Sequence, residues 1–165
     1  MIIFDYGQTL VDEEPFDGPA GIRAVLAEAA DNPYGVSAEE IEAFVKELNG
    51  ELGRFSGPES GTDFEKHPVL EIHNHLFQNY IYEYMGITLL KPPEEVERIF
   101  ENAGSRAVPT KNIAELLHFL QTENIRTAVI SNISFSGNLL KRRVDRYLPF
   151  HRFEFILASS EYIFI

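Results

Sequence analysis

The chain opens on Met1-Ile2-Ile3-Phe4-Asp5, an apolar run that breaks directly into a carboxylate and then into Tyr6-Gly7-Gln8-Thr9-Leu10. Such a run predicts a short buried strand over residues 1–5, with residues 6–10 forming the loop that leaves it. A carboxylate at the carboxyl end of a strand stands where open α/β sheets bind their ligands, and it has the chemistry of a nucleophile. Taken alone, Asp5 reads as an ordinary turn or capping residue, because aspartate readily bonds to nearby backbone. The rest of the sequence decides between the two.

A length of 165 residues suits one domain, or a compact core carrying a smaller inserted domain. With 44% apolar residues and a mean hydropathy of −0.15, the composition is that of a soluble globular protein. No apolar run approaches the roughly 18 residues of a spanning helix. A strand beginning at Met1 leaves no room for a leader, so the expected location is the cytoplasm. The absence of cysteine excludes disulfides, thiolate metal sites and cysteine nucleophiles. A net charge of −12 argues against nucleic acid or an anionic membrane as partner. A small anionic substrate remains compatible, because local amides, a lysine or a bound cation can oppose the global field.

Past the first loop the pattern becomes helical. Residues 20–32 place Ile22, Val25, Leu26 and Ala29 at helical spacing. Ser37-Ala38-Glu39-Glu40 is a capping box, opening a helix with Ile41, Phe44, Val45, Leu48 and Leu52 on one face. A turn-rich linker over 56–62 precedes a helix over 69–85 carrying Leu70, His73, Phe77, Ile81 and Tyr84. A fourth helix starts at Pro92 or Pro93, with Glu94 and Glu95 in its first turn, and runs to Gly104. From Val108 the α/β pattern returns. Thr110 is the expected cap of a helix over 112–123 with Ile113, Leu116, Leu117 and Leu120 inward, ended by Asn124. A strand over 126–130 runs into Ser131-Asn132, a helix capped by Ser136 stops at Pro149, and a third strand covers 153–158. The expected fold class is therefore α/β: a parallel Rossmann-like sheet with an all-helical domain inserted after its first strand.

The pairing of Phe4-Asp5-Tyr6-Gly7-Gln8-Thr9-Leu10 with Ala128-Val129-Ile130-Ser131-Asn132 resembles the first two motifs of the haloacid dehalogenase-like hydrolase superfamily. The stretch over 108–132, the helix leading into the second motif, is similar too, and the helical stretch falls where that family inserts its cap. The resemblance implies a partial α/β core over 1–14 and 106–165, with a helical cap over 15–105. It further implies a phosphatase acting on a small phosphorylated molecule, in which Asp5 attacks phosphorus and becomes an aspartyl phosphate. Mg²⁺ would be held by Asp5 and the backbone carbonyl of Gly7, while Gln8, Thr9, Ser131 and Asn132 would bind the phosphoryl group.

Two departures qualify that implication. Members of the family usually carry an acid–base aspartate two positions after the nucleophile, where this chain has Gly7. The family's third-motif lysine and its later acidic pair would follow a segment similar to 159–165, so the chain reads as a fragment of a longer hydrolase, inactive by itself. Its first strand would then have an unpaired edge, and a homodimer through that edge is expected. A non-catalytic binding or regulatory protein of the same fold stays open as an alternative. A haloacid dehalogenase ranks below both, because its pattern puts tyrosine two after the nucleophile and Tyr6 stands one after Asp5. The remaining candidates have plain readings. His73 and His75, two apart on a helix, would point to different sides and not share a metal. Lys141-Arg142-Arg143 reads as a solvated helix face, Asp12-Glu13-Glu14 as a hinge, and Phe77, Tyr80, Tyr82 and Tyr84 as cap core and surface, with substrate contact open for each.

Overall fold

The structure, a computed structural model, describes residues 1–52 and 72–162. The linker over 56–62 and Leu70 lie outside the described residues. The fold is mixed α/β, with six helices among the described residues and a parallel three-stranded sheet of the Rossmann-like kind. Strands β1 (Ile2–Phe4), β4 (Thr127–Ser131) and β5 (Ile156–Ala158) lie in the order β1-β4-β5, with Phe4 beside Val129 and Val129 beside Ile156. A second, antiparallel pair joins β2 (Val11–Glu13) to β3 (Ala107–Pro109). It clamps together the two places where the chain leaves and re-enters the sheet region. Neither strand is legible at three residues, since β2 is interrupted by Asp12 and β3 ends in a proline.

Helices α1 (Gly18–Leu26), α2 (Ala38–Glu51), α3 (Asn74–Tyr84) and α4 (Pro93–Gly104) fill the middle, while α5 (Ile113–Thr122) and α6 (Gly137–Tyr147) flank β4 in sequence. Two apolar clusters result. One gathers Tyr6, Leu10, Ile113, Leu117, Val129, Leu140 and Val144; the other gathers Ile22, Val25, Ile41, Phe77, Ile81 and Val96 from the helical stretch. At the crossing of α1 and α4, a side chain at Gly21 would run within 2.6 Å of the Phe100 ring, so the close approach needs glycine. No helix among the described residues is long and apolar enough to cross a membrane.

Several expectations need correction. The first strand is not buried: Ile2 and Ile3 are exposed, because among the described residues β1 is an edge strand paired to β4 alone. Ile3 and Ile130 share the sheet face opposite the apolar cluster, and both remain half-exposed. Helix α1 is shorter than 20–32. Thr110 does not cap α5 with its side chain; its hydroxyl donates to Asp12 Oδ1 at 3.2 Å, and Asn112 takes the cap position in left-handed backbone, φ 64°. Leu116 and Tyr84 face solvent. His73 is not within α3 but is its cap, its Nδ1 accepting from the His75 amide at 3.2 Å. The capping box at Ser37 and the Ser136 cap are both present.

Candidate functional site

Parallel pairing brings Asp5 and Ser131, 126 positions apart, to neighbouring strand ends, where Ser131 Oγ donates to Asp5 Oδ1 at 2.8 Å. Asp5 is exposed and Ser131 is buried, so the hydroxyl holds a carboxylate that solvent and ligand can reach. Asn132 follows at once, its Oδ1 accepting from Ser159 Oγ at 2.9 Å, and Ser159 in turn accepts from the Ile133 amide at 3.0 Å. The single turn Ser159–Glu161 beyond β5 thus braces the loop after β4.

The loop after β1 folds tightly on itself. The amides of Thr9, Leu10 and Val11 all converge on the Tyr6 carbonyl, at 3.4, 2.9 and 3.3 Å, and Gln8 adopts left-handed backbone, φ 55°. The Thr9 amide is therefore engaged within the turn. Gln8 points its Nε2 back to the Glu13 carbonyl at 2.9 Å, although both Gln8 and Thr9 are solvent-exposed. Position 7 has a specific neighbour: a Cβ built on Gly7 would stand 2.5 Å from Glu13 Oε2. The space a side chain would use here is filled by a carboxylate from β2.

Glu13 is held there by Arg143, which sequence reasoning misread. Instead of a solvated helix face, Arg143 is 4% exposed; it pairs with Glu13, with Glu101 at 3.2 Å and with Ser105 Oγ at 2.9 Å, and lies 5.0 Å from the Tyr6 ring centre. Burial pushes the Tyr6 phenol well above its ordinary value, with the Arg143 charge opposing. Residue type does not distinguish this arginine from its exposed neighbours Lys141 and Arg142; the signal available was that position 143 falls at helical spacing beside Leu139, Leu140 and Val144 on the apolar face of α6.

A second buried carboxylate joins the helical stretch to the start of α6. Glu97, 1% exposed, accepts from Ser136 N at 2.9 Å, Ser136 Oγ at 2.5 Å and Asn74 Nδ2 at 3.4 Å, and its Oε2 lies 3.0 Å from His75 Nε2. The rings of His73 and His75 meet edge to face at 4.6 Å, closer than two residues on one helix would allow, because His73 is the cap. Among the described residues, no three acidic or histidine side chains stand close enough together to hold a metal ion. Asp5 and the Gly7 carbonyl offer two oxygen donors of the kind Mg²⁺ accepts when water and substrate phosphate complete its shell.

No protein-family model matches the chain, and neither does any curated protein. Among solved structures, it is similar to one from Lactobacillus delbrueckii subsp. bulgaricus, provisionally assigned as a phosphoglycolate phosphatase, at 19% identity and a TM-score of 0.46. The match covers 98% of this chain, and the chain spans 65% of the length of that one.

Proposed function

We propose that this chain carries the nucleophile of a haloacid dehalogenase-like phosphohydrolase, with residues 15–105 as its cap and a small phosphorylated molecule as substrate. The observation that carries the reading is the bond from Ser131 to Asp5 across two parallel strand ends, which joins the two motifs of the sequence in one place. Asp5 attacks phosphorus in line, its P–O bond forming as the ester oxygen leaves, and water then releases phosphate from the aspartyl phosphate. Ser131 orients the carboxylate in the free protein and turns its single hydroxyl proton to a phosphoryl oxygen as the phosphate arrives; Asn132, Gln8 and Thr9 border the same strand end. Asp5 and the Gly7 carbonyl, together with substrate, would hold a Mg²⁺ ion, which would supply positive charge to offset repulsion between nucleophile and phosphate.

Gly7 itself carries no proton. The carboxylate nearest the side-chain space of position 7 is Glu13, and in this reading it moves the proton to the leaving oxygen and from the attacking water, a contribution of roughly 10²- to 10⁴-fold. The test is hydrolysis of an aryl phosphate panel by the full gene product with magnesium, beside its Asp5→Asn variant. Turnover that disappears in the variant supports the reading; no turnover across the panel, or turnover indifferent to Asp5, overturns it.

A further inference from the structure

A cavity of about 990 Å³ opens beside the loop after β4, where Asn132 and Ile133, which directly follow Ser131, form part of its lining. It therefore adjoins the proposed reaction centre. Where that loop meets the helical stretch, the rings of Phe16, Phe100 and Phe135 gather in the cavity wall, with Phe16 5.0 Å from Phe100 and 6.0 Å from Phe135 between centres. None of the three is fully buried, and Phe16 is 41% exposed. Val45 and Ile133, also partly exposed, extend the same apolar wall.

The charged groups of the lining are distributed differently. Among the described residues they are Glu13, Glu14, Glu42, Lys46 and Arg143. Arg143 is committed to Glu13 and Glu101, while Glu14, Glu42 and Lys46 are exposed to solvent. Beside the three rings, then, no uncommitted cation stands ready for a second anionic group among the described residues. A carboxylate pressed against this wall would give up hydration without a partner. An apolar body gains there, because it and the rings leave water together.

We infer that the cavity takes an uncharged aromatic body of two or more fused rings, packed against Phe16, Phe100 and Phe135. That this body is the alcohol part of a phosphate ester rests on the phosphohydrolase reading; the cavity's preference does not. Phe16 is tilted by 39° to Phe100 and by 52° to Phe135, so a flat guest stacked on one ring meets the others at an angle, as aromatic groups prefer. A fused second ring adds apolar surface to that contact, and each further buried carbon strengthens binding. A small phosphate ester whose alcohol is a polyol or carries a carboxylate would leave the aromatic wall wet.

The test titrates the intact protein by calorimetry with three probes, 2-naphthol, phenol and 6-hydroxy-2-naphthoate. The second lacks the fused ring, and the third keeps it but adds a carboxylate. The first is expected to bind roughly 10- to 50-fold more tightly than either. Methyl-labelled spectra locate the binding: the Val45 and Ile133 methyls are expected to shift with 2-naphthol, while Ile3 and Ile130, exposed on the outer face of the sheet, stay still. Phe16→Ala is expected to lower the 2-naphthol affinity roughly 5- to 10-fold; if that variant does not fold, the methyl shifts of the parent protein carry the test. Equal affinities for 2-naphthol and either other probe, shifts confined to Ile3 and Ile130, a folded Phe16→Ala variant of unchanged affinity, or no binding of any probe overturns the inference. Turnover of 2-naphthyl phosphate by the full gene product separates the two proposals. Selective binding of 2-naphthol without hydrolysis of its ester retires the phosphohydrolase and leaves the cavity's preference standing; hydrolysis with no such selectivity does the reverse.

Discussion

Two carboxylates, at the strand end and at the seam beneath the helical stretch, show opposite uses of the same group. Asp5 is exposed and receives one side-chain hydrogen bond from Ser131, leaving lone pairs available to a ligand. Glu97 is enclosed by Ser136, Asn74 and His75, and its oxygens are consumed by structure. Burial makes the second an anchor, since a charge removed from water must be fully compensated. Sparse compensation leaves the first accessible for the nucleophilic role proposed for it. Glu13 lies between these limits, partly exposed, tied on one side to Arg143 and facing the side-chain space of Gly7 on the other.

The sharpest way to break this contrast is to neutralise each carboxylate in turn and measure turnover and stability together. Asp5→Asn is expected to lower kcat of the full gene product by roughly 10⁴-fold or more while leaving its melting temperature nearly unchanged. A large fall in melting temperature would mean that Asp5 is an anchor after all. Glu13→Gln is expected to cost roughly 10²-fold in kcat as proton transfer is lost. Because it also weakens the Arg143 pair, stability should fall with it; the discriminating readout is a smaller kcat loss for esters whose leaving groups need no proton. An equal loss for all esters would return Glu13 to a purely structural role.

Glu97→Ala should behave in the opposite sense to Asp5→Asn. It strands the Ser136 amide and hydroxyl, the Asn74 amide and the His75 ring, and is expected to destabilise by about 3 kcal/mol in urea titration. A change below about 1 kcal/mol would show that water replaces the carboxylate and that the seam is wetter than its burial implies. His75→Ala, removing only one of the partners, should cost less.

How much of this was legible follows the same division. Elements with local signals were readable: the capping box at Ser37, the Ser136 cap, Asn124 in left-handed backbone at φ 56°, and the strand that delivers Ser131. The strand-end pair Asp5 and Ser131 was readable as two motifs, although not as a bond. What escaped was non-local. The antiparallel clamp of β2 and β3 joins residues almost a hundred positions apart, and three-residue strands carry no periodicity. Arg143 looked like one of three surface cations until Glu13, from β2, and Glu101, from α4, were brought to it. The exposure of Ile2 and Ile3 depends on which neighbours β1 has, a property of the sheet and not of the run itself.

The smallest expected effect tests the legible side of the division. Glu40 accepts from the Ser37 amide at 2.8 Å and from its hydroxyl at 2.9 Å, and the backbone bond, followed by the hydroxyl, holds its carboxyl below the ordinary carboxylate range. A depressed folded-state pKa means that the ionised form favours the folded state. The contribution is therefore present above the usual carboxylate pKa and disappears as pH falls through the lower, folded value. Glu40→Gln keeps an acceptor for the Ser37 amide but lacks the charge that favours the amino end of α2. Its melting temperature should lie slightly below the parent's at neutral pH and converge with it in acid. Solvent screens an exposed group, so the gap should also narrow in high salt. A gap that persists unchanged at low pH would assign the capping box to hydrogen-bond geometry alone, whereas one that widens would contradict the direction of the shift.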